Sequence, residues 1–342
     1  MSAPLTVALL GAGFWAQYQL SAWYEIPGVR CVGIVDPNHE AAQRLADRFA
    51  IPVVAASLEE LLRSVRPDFV DIVASVNAHG ELVQQACEAG LDVVCQKPLT
   101  YDLAEARGLV ELAMNTKVQF FVHENWRWQR PLRQLRTILQ SRPIGQIFRA
   151  SIFYNNAFPV FQNQPELKQY ERFILQDMGT HLFDVIRNLF GEAEEIFCRT
   201  MRTRSDIRGE DVATVCLAMS AGMTVNCQMS YASKFAEDCF PQTLVTIEGT
   251  SGSILLERDF LITVTTPQGV SRERYPPHPY SWSDPRYLLV HSSIVDCQRH
   301  LAECLRTQQS AETSAADNLR TLEIVDAAYR SSSSQLPVPI AR

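Results

Sequence analysis

Three residues in two separate stretches of the chain have the types needed to move a proton: Lys97, and Asp177 with His181. Lys97 lies in Asp92-Val93-Val94-Cys95-Gln96-Lys97-Pro98-Leu99, where an apolar run ends and a proline removes a backbone donor and fixes φ. A lysine leaving the C-terminal end of a parallel strand points toward the crevice where an open α/β sheet binds its ligands. Asp177 and His181 belong to Gln176-Asp177-Met178-Gly179-Thr180-His181-Leu182-Phe183-Asp184. If that stretch is helical, the spacing i, i+4, i+7 puts Asp177, His181 and Asp184 on one face. Ammonium, imidazole and carboxylate together suit proton transfer to and from a substrate hydroxyl. The blander alternatives are an N-cap at Asp177, a core histidine and a polar stripe. The trio could also hold a cation, but a hydrogen-bond network fits the residue types better, and no metal is expected.

A second constellation points to a dinucleotide. Gly11-Ala12-Gly13-Phe14-Trp15-Ala16 fits G-x-G-x-x-[GA] between an apolar run and a helical one. The first glycine permits a tight turn, the second lets the backbone approach a pyrophosphate, and Ala16 supplies the small third residue. A pyrophosphate would then rest on a helix N-terminus. Asp36 ends the next apolar run, where a carboxylate can accept from both hydroxyls of an adenosine ribose. A 2′-phosphate would be repelled there, and Pro37, Asn38 and His39 offer no arginine to receive it. NAD, rather than NADP, is the expected cofactor.

These residues need a scaffold. Apolar runs at 5–10, 29–35, 53–54, 69–74, 93–95 and 118–122 read as strands, and amphipathic stretches at 40–49, 58–65, 79–89 and 103–114 as helices between them. That alternation predicts an α/β Rossmann domain over 1–124. Beyond it the grammar changes to an α+β domain over 125–342 with an open, mostly antiparallel sheet. Its strands are expected at 147–154, 212–219, 224–230, 244–248, 253–256 and 261–265, joined by short glycine-containing turns. Helices are expected at 132–140, 290–306 and 315–331, with Ser331–Ser334 an edge segment before the Pro-containing tail.

The bulk properties narrow the function classes. At 342 residues, 46% hydrophobic and 20% charged, the chain has the makings of two globular domains. A net charge of −7 argues against a nucleic-acid or anionic-membrane partner, and no apolar run reaches the ~18 residues of a span. Met1-Ser2-Ala3-Pro4 leads into the first strand without a signal peptide, and nine cysteines without a Cys-x-x-Cys predict a reduced, cytoplasmic protein. His123-Glu124-Asn125-Trp126-Arg127-Trp128 combines amide, guanidinium and ring faces suited to a polyhydroxylated ligand, or else forms an aromatic packing seam. Asn155 and Asn156 are expected to face the same cleft as His181. Arg130, Arg133 and Arg136 read as a solvated helix face, and Trp282 as a cover over the site.

The glycine turn, Asp36, Gln96-Lys97-Pro98 and Asp177-x-x-x-His181, in this order, resemble the glucose–fructose oxidoreductase/inositol dehydrogenase (GFO/IDH/MocA) family. Ala316-Asp317-Asn318-Leu319 and Ala328-Tyr329-Arg330-Ser331 extend the resemblance to nearly the whole chain. It implies a final helix returning toward the nucleotide domain, sheet-mediated homodimers or homotetramers, and NAD(P)-dependent oxidation of sugars, polyols or their acids. It makes Lys97, His181 and Asp177 the catalytic candidates and gives a cis Lys97–Pro98 bond. It makes Gly11, Gly13, Phe14, Trp15, Asp36, Ser75, Asn77, His79, Gln96, Lys97 and Arg127 the candidates for holding cofactor. Lys97, Asn125, Trp126, Asn155, Asp177 and His181 are the candidates for holding substrate. Gln96 departs from the family's usual glutamate, which removes an electrostatic partner of Lys97.

The run Phe14-Trp15-Ala16-Gln17-Tyr18-Gln19-Leu20 and the His123–Trp128 stretch are similar to a D-apiose dehydrogenase branch. That similarity implies an aldose oxidised to its lactone or acid, with His181, assisted by Lys97, taking the hydroxyl proton. A polyol, inositol or sugar-acid dehydrogenase, a sugar enzyme using NAD without net redox, and a non-catalytic NAD sensor are the alternatives.

Overall fold

The computed structural model describes residues 4–340; Met1–Ala3, the start of the expected leaderless N-terminus, lie outside the described residues. The chain forms two compact units. One runs to Asn125 and takes in Ile294–Leu319; the other comprises Trp126–Ser293 and the chain from Arg320 onward. The sequence predicts one cut near residue 124 with the last helix packing back toward the nucleotide domain, whereas the first unit takes in 294–319, which is most of the helix Leu288–Thr307 and only the start of the final helix Ala315–Ser334.

In the first unit, β1 (Leu5–Leu10), α1 (Ala16–Tyr24), β2 (Val29–Val35), α2 (His39–Phe49), β3 (Val54–Ala55) and α3 (Leu58–Ser64) form one half. The other half is β4 (Phe69–Ile72), α4 (Val76–Glu88), β5 (Asp92–Gln96), α5 (Leu103–Thr116) and β6 (Phe120–His123). All strands are parallel in the order β3-β2-β1-β4-β5-β6, so the connectivity reverses between β1 and β4. Such a reversal opens a crevice at the carboxyl ends of the strands, where Gly11 and Lys97 leave the sheet. The central strands are buried on both faces, which explains their continuous apolar runs. Side-chain caps start three of the helices: Asn38 accepts from Ala41 N, Ser57 from Glu60 N and Asp102 from Glu105 N. Residues 294–319 join this unit through Val122 N, which donates to Thr313 O at 2.9 Å, and a bridge between Phe121 and Ser314.

The second unit opens with α6 (Arg130–Gln140) and β7 (Ile147–Asn155), then a four-residue helix α7 (Val160–Asn163) and α8 (Thr180–Phe190). The strands follow: β8 (Ala193–Met201), β9 (Val212–Met219), β10 (Thr224–Ser230), β11 (Leu244–Gly249), β12 (Gly252–Glu257), β13 (Leu261–Thr266) and β14 (Gly269–Arg274). Helices α9 (Leu288–Thr307) and α10 (Ala315–Ser334) and a short β15 (Val338–Pro339) close the chain. The nine strands are ordered β14-β13-β12-β11-β7-β10-β9-β8-β15, antiparallel except for β10 beside β7. Burial alternates strictly along β9, with Ala213, Val215, Leu217 and Met219 inward. The opposite face carries Ser151, Phe153, Thr214, Cys216, Asn226 and Gln228 at its middle and charged residues around them, Arg149 paired with Glu248 across β7 and β11 and Glu195 and Arg199 on β8.

Ser331–Ser334 corrects the sequence expectation. These serines continue α10, because buried Ser331 has local work: its Oγ accepts from Cys198 N at 2.9 Å and donates to Leu336 O at 2.7 Å. The sheet edge is taken by Val338–Pro339 against β8. No described helix is long and apolar enough to cross a membrane.

Candidate active site

The glycine turn is built for close approach. Gly11 follows β1 at φ +112°, and a Cβ there would lie 2.6 Å from Ala74 N, so no other residue fits. A Cβ at Gly13 would meet nothing within 4 Å, which leaves the backbone open. Asp36 ties the turn to the end of β2: Oδ2 accepts from Ala12 N and Oδ1 from Asn38 N, both at 2.7 Å. Each carboxylate oxygen keeps a second lone pair for a hydroxyl donor. Ala16 is fully buried where α1 packs. Phe14 is 48% exposed and Trp15 rests against Tyr18, with rings 5.5 Å apart. Ser75 and Asn77 are exposed at the start of α4, a helix end that favours anions. An open glycine cradle, a turn-bound aspartate and a helix N-terminus suit a dinucleotide.

At the end of β5 the Lys97–Pro98 bond is cis, and Gln96 and Lys97 are both half-buried. Gln96 Nε2 donates to Gln19 Oε1 at 3.0 Å and approaches His123 Nδ1 at 3.2 Å. α4 begins at Val76 rather than at His79, so His79 sits inside its first turns, 1% exposed. Its Nδ1 lies 3.1 Å from the carbonyls of Pro98 and Leu99, and its Nε2 3.1 Å from that of Ala74. Burial lowers its pKa, and those carbonyls oppose the shift. This imidazole braces the Lys97–Pro98 loop.

One residue of this unit escapes the motif reading: Asp71 on β4, fully buried. Its Oδ2 accepts from Trp23 Nε1 at 2.6 Å and its Oδ1 from Gln19 Nε2 at 3.2 Å. Burial pushes the carboxyl up to about 7, against the pull of those two donors. The signal is in the sequence: a lone acid inside Phe69-Val70-Asp71-Ile72-Val73.

In the second unit the expected pair is held by different means than an ideal helix face. Asp177 belongs to a π-helical turn, Leu175–Gly179, and His181 to the first turn of α8. The wider π turn shifts the angular spacing, so the even i, i+4, i+7 stripe is not what forms. Asp177 Oδ2 accepts from Tyr231 Oη at 2.8 Å. The π turn itself is anchored by buried Glu210, whose carboxylate accepts from Phe173 N and Leu175 N at 3.2 Å and from Tyr329 Oη at 2.7 Å. His181 is 4% exposed and stacks on Trp126, rings 4.4 Å apart at 23°. Trp126 is fixed in turn by Nε1 donating to Thr243 Oγ1 at 3.0 Å and by an edge contact with Tyr154.

Asp184 does not join His181 as a proton-handling carboxylate. It receives Arg127 Nε at 2.7 Å and forms an ion pair with Nη2 at 2.5 Å, both side chains buried. Arg127 therefore commits two nitrogens to α8. Asn155 departs from its expected place as well. Strand alternation turns it to the face of Ser151 and Phe153, within 3.5 Å of Gln228, opposite Tyr154. Asn156, past the strand end and 1% exposed, accepts from Phe158 N through its Oδ1 at 3.0 Å. Asn125 is buried at the end of the first unit. Trp282 stacks on Tyr280 and leans on His291, and Arg133 lies 4.2 Å over the Trp128 ring rather than fully in solvent.

Comparison with known proteins decides the family. A model described as oxidoreductase family, NAD-binding Rossmann fold, matches residues 5–124, and the GFO/IDH/MocA C-terminal domain model matches 132–255. The chain belongs to the GFO/IDH/MocA family. It is an NAD-dependent oxidoreductase. A D-apiose dehydrogenase of Paraburkholderia graminis is 36% identical over 324 residues, 95% of this chain and 86% of that protein. One of Rhizobium rhizogenes is 34% identical over 97% of this chain and 96% of that protein. The crystal structure of an oxidoreductase from Agrobacterium radiobacter, in complex with NAD+, L-tartaric acid and magnesium, superposes with a TM-score of 0.97 at 34% identity, covering 99% of both chains. Levoglucosan dehydrogenase in complex with NADH and levoglucosan shares the fold, with a TM-score of 0.86 at 19% identity.

Proposed function

We propose that this oxidoreductase is a sugar dehydrogenase that oxidises a ring hydroxyl of an aldose, D-apiose or a close relative, to the lactone. The observation that carries the substrate class is similarity over nearly the full length to two D-apiose dehydrogenases. Gly11, Gly13, Asp36 and the start of α4 would hold NAD, and NAD+ when bound supplies the hydride acceptor. His181 takes the hydroxyl proton, its ring plane set by Trp126. Lys97 assists that transfer. Asp177, pinned by Tyr231, orients the imidazole or binds a neighbouring hydroxyl. Trp126 and Asn125 complete the substrate side.

NADH formation from a panel of aldoses, polyols and sugar acids tests this reading. The expected result is preferential turnover of D-apiose or another aldose; a preference for inositols or sugar acids would replace the substrate class. A homodimer or homotetramer formed through the second unit's sheet is the expected assembly, with half-exposed Phe153 at the middle of its outer face. Light scattering should give two or four times 38.5 kDa.

A further inference from the structure

A buried line of hydrogen bonds runs from the middle of β4 to the residue before Lys97. It starts at Trp23 Nε1, passes through both oxygens of Asp71 to Gln19 Nε2, and continues from Gln19 Oε1 to Gln96 Nε2 and His123 Nδ1. Asp71 and Gln19 are fully buried, so each polar atom must be matched within the line. Gln298, whose Nε2 donates to Gln19 O at 3.1 Å, fixes the Gln19 backbone from α9.

The directions along this line are not free. An indole N–H can only donate and a carboxylate can only accept. With Asp71 ionised, Gln19 must turn its NH2 toward β4 and its carbonyl toward β5. Gln96 must then meet that carbonyl with its own NH2, and the second amide hydrogen goes to His123 Nδ1. His123 is thereby held in its Nε2–H tautomer. One orientation is left for Gln96, with its carbonyl oxygen turned away from Gln19, at the ligand end of β5 and next in chain to Lys97.

We propose that Asp71 is a positioning residue for Lys97: its carboxylate sets the polarity of the Asp71–Gln19–Gln96 line and thereby the orientation of the amide beside the lysine. The functional half of this rests on the reading of Lys97 as a proton-handling residue. The structural half does not. The charge at 71 and the amide at 96 are complementary ends of one relay, and the relay runs equally well with the ends exchanged.

That symmetry supplies the test. In Gln96→Glu, an acceptor faces Gln19 Oε1, and flipping Gln19 only moves the clash to Asp71. In Asp71→Asn, the new amide must give its oxygen to Trp23 and its NH2 to Gln19, so Gln19 turns and Gln96 turns with it, carrying its NH2 to the ligand end of β5 where the parent has an oxygen. The double variant Asp71→Asn/Gln96→Glu satisfies every bond with the polarity reversed and His123 in the other tautomer. Thermal midpoint, NADH affinity by fluorescence titration and turnover of D-apiose are measured for all four proteins. Gln96→Glu should lower the midpoint, and each single variant should weaken NADH by about tenfold, the scale of one misdirected hydrogen bond in the line or at its ligand end. The double variant should return NADH affinity to within about threefold of the parent. Penalties that multiply in the double variant would overturn the proposal.

If Asp71→Asn does not fold, Gln96→Glu is compared with Gln96→Met, which removes the bonds without opposing two acceptors. Gln96→Glu must then be the worse of the two, and equal values would reject the relay. Lys97→Ala run alongside separates the two halves. If it keeps turnover, the role of Lys97 falls while the exchange rescue stands; if it is inactive and the exchange fails to rescue, the relay alone falls.

Discussion

Removing Asp184 should damage this protein more than removing any surface acid, because of what it leaves behind. Asp184 is fully enclosed, and the Arg127 guanidinium that it receives through Nε and Nη2 is 6% exposed. Asp184→Ala would deprive that buried cation of the carboxylate it meets through Nε and Nη2, a loss of about 3–5 kcal/mol. For a domain of this size that corresponds to a fall of roughly 6–20 °C in melting temperature, at about 2–4 °C per kcal/mol. The contrast that makes the reasoning strict is the paired replacement Arg127→Met/Asp184→Leu. It removes both charges together and fills the space, so it should lie within about 1–2 kcal/mol of the parent. Urea and thermal unfolding followed by tryptophan fluorescence read both quantities, since Arg127 lies between Trp126 and Trp128. A cost below about 1 kcal/mol for Asp184→Ala, or a paired variant as unstable as the single one, would refute the stabilising role of the buried pair. Because Asp184 lies one turn beyond His181, the single variant should also lose turnover, and the paired variant should regain part of it.

Other outcomes follow from the same geometry. NADP+ should bind at least ~10-fold more weakly than NAD+ because Asp36 would face its 2′-phosphate; Asp36→Ser should narrow that ratio, and an unchanged ratio in titrations would remove Asp36 from cofactor selection. Tyr329→Phe should cost about 1 kcal/mol, and Glu210→Ala about 2–3 kcal/mol, by unpinning the π turn that carries Asp177. Both should lower turnover, and parent-like kinetics with lowered stability would show that the turn keeps Asp177 in place without them. Asp71 has its folded pKa raised to about 7, so folding takes up a proton between the ordinary carboxyl range and 7. Its contribution to stability therefore falls as pH rises through that window. The melting temperature of the parent minus that of Asp71→Asn should decrease between pH 5 and pH 8; a flat difference would mean that Asp71 keeps the same charge throughout.

Much of the first unit is written in plain sequence signals. The glycine turn after a buried run, the acid at the end of β2 and the alternation of strands with helices each have a local physical cause, and all lie where the structure has them. In the second unit β7 and β9 to β13 were legible, since β9 and β10 alternate cleanly, whereas β8 is irregular in burial and β14 exposed throughout, and neither shows that alternation. Asn155 could have been placed by the same alternation, which puts it on the face away from Tyr154. The π turn could not. A four-residue spacing from Asp177 to His181 reads as α-helical, and the widening depends on Glu210 and Tyr329, distant residues that gather Phe173 N and Leu175 N. Likewise nothing near Arg127 in sequence announces Asp184, because a bidentate pair across 57 residues is a tertiary fact. His79 and Asp71 sit between these cases. Each is a polar residue in a buried setting, and burial forces partners that only the fold can name.

We propose oxidation of a sugar hydroxyl with Lys97 and His181 handling the proton. Its most direct test is NADH formation at 340 nm from D-apiose and NAD+ by the parent, Lys97→Ala and His181→Ala, with variants first shown to bind NADH. Turnover by the parent is expected, with one NADH per sugar oxidised and a loss of about 10²-fold or more in each variant. Parent-like rates in both variants, or no NADH from any aldose with the parent enzyme, would contradict it.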